Sequence, residues 1–157
     1  MSTLNGLPVH ILLVHLIVVL VPLTAISVTL SALWPSVRQR LVWPTVFFAV
    51  VVVILTPITT EAGEWLEQFI GENPHLQNHI QLGETFLYFA VPLLIAAVLV
   101  AIMHVRLARG HTVSRLIIGA VAVVAIAASV AASVQVYRIG ESGSRAVWGG
   151  VGTQSAS

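Results

Sequence analysis

Between Val9 and Leu33 the chain carries no Asp, Glu, Lys or Arg, and three later stretches, about 42–60, 80–105 and 116–136, come close to that, with Glu84 their one such residue. A helix needs about 20 mainly apolar residues to cross a ~30 Å hydrocarbon layer at ~1.5 Å per residue. All four stretches meet that length. In lipid every backbone polar group must be satisfied internally, so an all-α, four-helix membrane bundle is the architecture expected. Composition agrees: 57% of the 157 residues are hydrophobic and only 8% are charged, against roughly a quarter charged in soluble domains. The mean hydropathy is +0.98. A net charge of +1 offers no basic stripe for nucleic acid.

The basic residues, all arginine, give a direction. Arg38 and Arg40 follow the first stretch, and Arg106, Arg109 and Arg115 lie between the third and fourth. Only Arg138 and Arg145 fall at the other side, so the positive-inside rule predicts a multi-pass cell-membrane protein with both termini extracytoplasmic. Trp34 and Trp43 then sit at the inner interface, and Trp65, Tyr137 and Trp148 at the outer one. The first stretch has no basic residue before it and is too long for an h-region, so it reads as a retained span rather than a signal peptide.

Pro8 suits a first helical turn, and Pro35 should stop the first helix. Pro22 and Pro92 fall inside spans one and three, freeing the carbonyls of Val18 and Tyr88. Ala125, Ser129 and Ser133 recur every four residues beside Ala128 and Ala132, which predicts that the fourth span is the tightly packed one. Between spans two and three, Glu61–Ile70 suits a short helix lying in the membrane interface, ended by Gly71 and Pro74.

The polar residues gather toward one end. His10, His15, His75 and His79 belong to it, as do all six glutamates. His15 lies about 7.5 Å deeper than His10, and Glu84 is offset from His79 in the same way. An ionisable group inside a span faces the bundle or water and finds a partner, which marks His15 and Glu84. Arg138 or Arg145 could supply that partner to Glu84. Five residues turn a helix by about 140°, so His10 and His15 do not share one face. His10 and His75 suit ordinary interfacial positions, and His104 and His111 belong to the opposite interface.

Several chemistries have no support in the residues. Without cysteine there is no disulfide, thiolate cluster or c-type haem attachment. Hydrolase and transferase motifs are missing as well, leaving at most an electron-transfer role.

The opening Gly6-Leu7-Pro8-Val9-His10 with His15, then Thr60-Glu61-Ala62-Gly63-Glu64, His79 with Gly83-Glu84, and Gly140-Glu141-Ser142-Gly143 with Trp148 carry a resemblance. Together they resemble an uncharacterised family of bacterial four-span membrane proteins, some fused to Rieske-type or cytochrome-like domains. The resemblance implies membrane redox work, with haem b or a transition metal as cofactor and an electron-transfer protein or a second copy as partner beside the lipid bilayer. Many members carry His or Asp where this chain has Glu141. For haem the expected axial pair is His15 and His79; for a metal the candidate ligands are His10, His15, His79, Glu64 and Glu84. The competing readings are a non-catalytic membrane subunit, whose polar groups only fasten helix ends, and a proton or ion pathway. Phe89, Leu93, Leu94 and Ala97 offer such a pathway no relay toward the arginine side.

Overall fold

The computed structural model describes residues 3–4, 7–70 and 74–148. A two-residue hairpin, β1 (Thr3–Leu4) against β2 (Leu7–Pro8), leads directly into α1 (Val9–Leu33). Then follow α2 (Pro35–Ile70), α3 (Pro74–Glu84), α4 (Leu87–Ala108) and α5 (Arg115–Trp148). Four helical stretches are long and apolar enough to cross a membrane. Around the bundle α1 packs on α2 and α5, α4 packs on the same two helices, and α1 meets α4 across the centre.

The reversals follow from local chemistry. Only Trp34 separates α1 from α2, and Pro35 opens α2, where its missing N–H costs nothing. Arg38 and Arg40 therefore lie within a helix rather than in a loop. The Arg38 side chain is buried and donates from Nη1 to the Ser31 carbonyl at 3.4 Å. Gly110, at φ 77°, closes α4, with its N–H on Leu107 O and that of His111 on Arg106 O. Ser114 then caps α5 by accepting from the Ile117 N–H at 3.3 Å.

Two expectations about the middle of the chain need correcting. Residues 61–70 do not form a separate interfacial helix; they continue α2, since nothing between Thr60 and Ile70 breaks a helix. The separate short helix is α3, and Pro74 begins it instead of ending its predecessor. The third apolar stretch is in turn broken at Thr85 and Phe86, between α3 and α4. Gln135 of α5, only 3% exposed, holds that break, donating from Nε2 to Leu82 O at 3.3 Å and Thr85 Oγ1 at 3.2 Å.

The core is built of small and β-branched side chains, among them Val21, Ala25, Val28, Val52, Ala97 and Val100. Larger apolar residues such as Leu16, Ile26, Phe47 and Leu116 point outward. That inversion is what lipid favours: tails solvate leucine as well as a core does, so close approach of small residues decides packing. The Ala125, Ala128, Ser129 and Ala132 stripe is buried, with Ser129 Oγ donating to Ala25 O at 3.0 Å. Even so α4, not α5, is the tightly packed helix, with 44% of its apolar stretch buried against 22% for α5. A narrow stripe buries one line of α5, whereas α4 packs on α2 and α5 and also meets α1 across the centre of the bundle.

The start of α1, the end of α2, all of α3 and the end of α5 converge at one end of the bundle. This is the histidine end; the arginine end carries the α1–α2 and α4–α5 reversals.

Candidate functional site

His10, in the first turn of α1, is half-buried against α2. Its Nδ1–H donates to the Thr59 carbonyl at 2.9 Å. One turn further along α2 stands Gly63, where a Cβ would lie 2.9 Å from His10 Cε1. The ring thus lies on a patch of helix that only glycine leaves clear.

His79, in the middle of α3, meets α5 in the same way. Its Nδ1–H points at two acceptors, Ile139 O and Ser142 Oγ, each at 3.1 Å. The Ser142 hydroxyl passes its own proton to Ile139 O at 2.8 Å. One turn beyond Ile139, a Cβ on Gly143 would lie 3.0 Å from His79 Cε1. The two imidazoles stand edge to face, with centroids 6.3 Å apart and planes at 86°.

Donation from Nδ1 fixes the tautomer on both rings and leaves each Nε2 with a free lone pair. This is how metal-ligating histidines are held in general, by a carbonyl or carboxylate on the other nitrogen. A metal–nitrogen bond of about 2 Å plus roughly 1 Å from nitrogen to ring centre gives a bound imidazole a reach of about 3 Å, so centroids 6.3 Å apart lie at the outer limit of what one ion could bridge. An apolar cavity of about 100 Å³ lies beside the rings, lined by Val14, Thr59, Gly63 and Phe86. One water needs only about 10–15 Å³ of such volume, so there is room for an ion, with the two imidazoles among the few polar groups it would meet.

The other expected ligands are placed differently. His79 faces His10, not His15; His15 is exposed, and its Nδ1–H donates to Ile11 O of its own helix at 2.6 Å. Glu64 is exposed but lines the same cavity. Glu84 is exposed too, beside Glu61 in a separate depression. Arg145 pairs with Glu141 at 2.7 Å, four residues back on α5, rather than with Glu84. Among the described residues no group of three or more His, Cys, Asp or Glu side chains converges on one point. The His75 side chain lies outside the described residues.

With the geometry in place, the comparisons take on meaning. The sequence profile of a family described as predicted membrane protein (DUF2231) matches residues 6–155. The chain belongs to the DUF2231 family. No curated protein and no solved structure matches it.

In this DUF2231 chain the sequence motifs contain Gly63 and Gly143 but give them no role, and they do not single out the carbonyls of Thr59 and Ile139. A signal for them does exist. His10-Ile11-Leu12-Leu13 parallels His79-Ile80-Gln81-Leu82, and Glu61-Ala62-Gly63 parallels Glu141-Ser142-Gly143. Pro22 and Pro92 follow their histidines at nearly equal distances, and the break at Thr85–Phe86 lies within the longer interval. The helix neighbours obey the same relation, for exchanging α1 with α4 and α2 with α5 leaves the packing scheme unchanged. The sequence and packing therefore relate the two halves, with one histidine from each meeting at the same end of the bundle.

Proposed function

We propose that this membrane protein holds a transition-metal centre between His10 and His79 at an extracytoplasmic end of the bundle. The observation that carries the reading is the facing pair itself: two rings 6.3 Å apart, each with Nδ1 tied to a carbonyl of a neighbouring helix. Imidazole ligation suits zinc, copper, iron or nickel. The cavity takes an ion with its waters, whereas cofactor pockets run to about 300–1,000 Å³. The space therefore favours a bare ion over the porphyrin of haem b. Glu64 lines the cavity without converging on the two rings, and His15 and Glu84 have no part in this centre. A copper or iron ion held here would supply one-electron chemistry, for which an electron-transfer protein is the natural partner. The arginines set the orientation of the proposal, with the histidine end and both termini outside.

A second reading has its own support, because each ring hydrogen bond also joins two helices. In that case the rings are struts of a non-catalytic subunit, each bond worth about 0.6–2 kcal/mol in lipid. Elemental analysis and a reduced-minus-oxidised visible spectrum of protein purified in mild detergent separate the two. About one equivalent of metal, lost in His10→Ala and in His79→Ala and kept in His15→Ala, is the outcome expected. Sharp haem bands lost in the first two variants would assign the centre to haem iron. A featureless spectrum without stoichiometric metal, after expression with added metals and haem, would leave only the struts.

A further inference from the structure

Two glycines, one in each half of the molecule, stand in the same relation to a histidine. Thr59 and Gly63 are four residues apart on α2, as are Ile139 and Gly143 on α5. In each pair the first residue supplies the carbonyl that takes the Nδ1 proton, and the second supplies bare backbone beneath Cε1. Residues four apart lie on one helix face, so carbonyl and glycine make a single seat for a flat ring. The separations explain why glycine is needed. At 2.9 Å a methyl group on residue 63 would force the His10 ring to shift, and at 3.0 Å one on residue 143 would require the His79 ring to give by a few tenths of an ångström. Among the described residues the other glycines have no such neighbour: a Cβ on Gly140, three residues before Gly143, would meet nothing within 4 Å.

We infer that Gly63 and Gly143 are positioning residues, each fixing the tautomer and direction of one imidazole by keeping its seat clear. The functional meaning of the inference rests on the proposed metal centre, since what the seats leave on each ring is an Nε2 without its own proton. The seats themselves are a property of the metal-free chain and can be read without any ion.

The test is nitrogen NMR of the metal-free protein in detergent, with ¹⁵N-labelled histidine. Wild type should show His10 and His79 as Nδ1–H tautomers. Gly63→Ala should disturb His10 more than His79, Gly143→Ala the reverse, and Gly140→Ala neither. Binding of Zn²⁺, Cu²⁺ and Ni²⁺ to the same variants should weaken about 10–100-fold for the first two, the usual effect of disturbing groups that orient ligands, and stay unchanged for the third. If Gly63→Ala does not fold, adding His10→Ala should restore folding, because the ring is what the new methyl meets. An unperturbed His10 tautomer with unchanged metal binding in Gly63→Ala, or failure of the double variant to recover, overturns the inference. Seated rings in a wild type that binds no metal would instead overturn the metal centre and leave the seats standing.

Discussion

His10 rests on one acceptor and His79 on two, and the helices that carry them differ in the same sense. α1 runs unbroken from His10 into the bundle core, so the whole helix holds that ring in place. His79 sits on α3, an 11-residue helix separated from α4 by the break at Thr85 and Phe86. Where the first half has Ala62, the second has Ser142, whose hydroxyl backs the Ile139 carbonyl. Gln135 adds a second tie, pinning the end of α3 to α5. A short helix cannot rely on its own continuity, and hydrogen bonds from its neighbour take over that task.

The comparison can be broken most sharply at the rings. His10→Ala and His79→Ala should each reduce bound metal from about one equivalent to none, because two protein ligands are the minimum for this centre; elemental analysis of purified protein gives the answer. Next comes the pin on α3. Gln135→Leu leaves the Leu82 carbonyl with only the Thr85 hydroxyl and should cost about 1–2 kcal/mol in detergent unfolding. It should also loosen the His79 tautomer signal while sparing His10, and equal loss at both rings would contradict the asymmetry. Ser142→Ala makes the second seat resemble the first and should weaken metal binding by less than about tenfold, since Ile139 O remains. Ala62→Ser is the reciprocal change and should strengthen it slightly in the same titration. The smallest effect belongs far from either seat: Ser129→Ala removes the bond to Ala25 O and should cost about 0.6 kcal/mol, with metal binding unaltered.

Hydropathy made the membrane class and the four apolar helices legible, and Val9–Leu33 coincides with α1. It could not show that α2 reaches back to Pro35 and on to Ile70, or that α5 continues to Trp148. Hydropathy reports preference for lipid, whereas helix length follows backbone hydrogen bonding, which continues where the side chains turn polar. The histidine pairing was lost for a related reason. Depth singled out His15, but what a side chain meets inside a bundle depends on rotational phase. A helix apolar on all sides carries little amphipathic signal from which to read that phase. The two Glu-x-Gly segments did carry the information, as a likeness between halves more than as a motif in either one.

Each ring is seated by a helix of its own half, His10 by α2 and His79 by α5. The order of synthesis therefore matters. A nascent chain that has delivered only its first hairpin to the bilayer already contains one complete seat, and its ligand can settle before the second hairpin leaves the ribosome. The proposed centre would need both halves docked. An ion captured there would act as the last stitch of biogenesis, closing across a seam that neither hairpin closes alone.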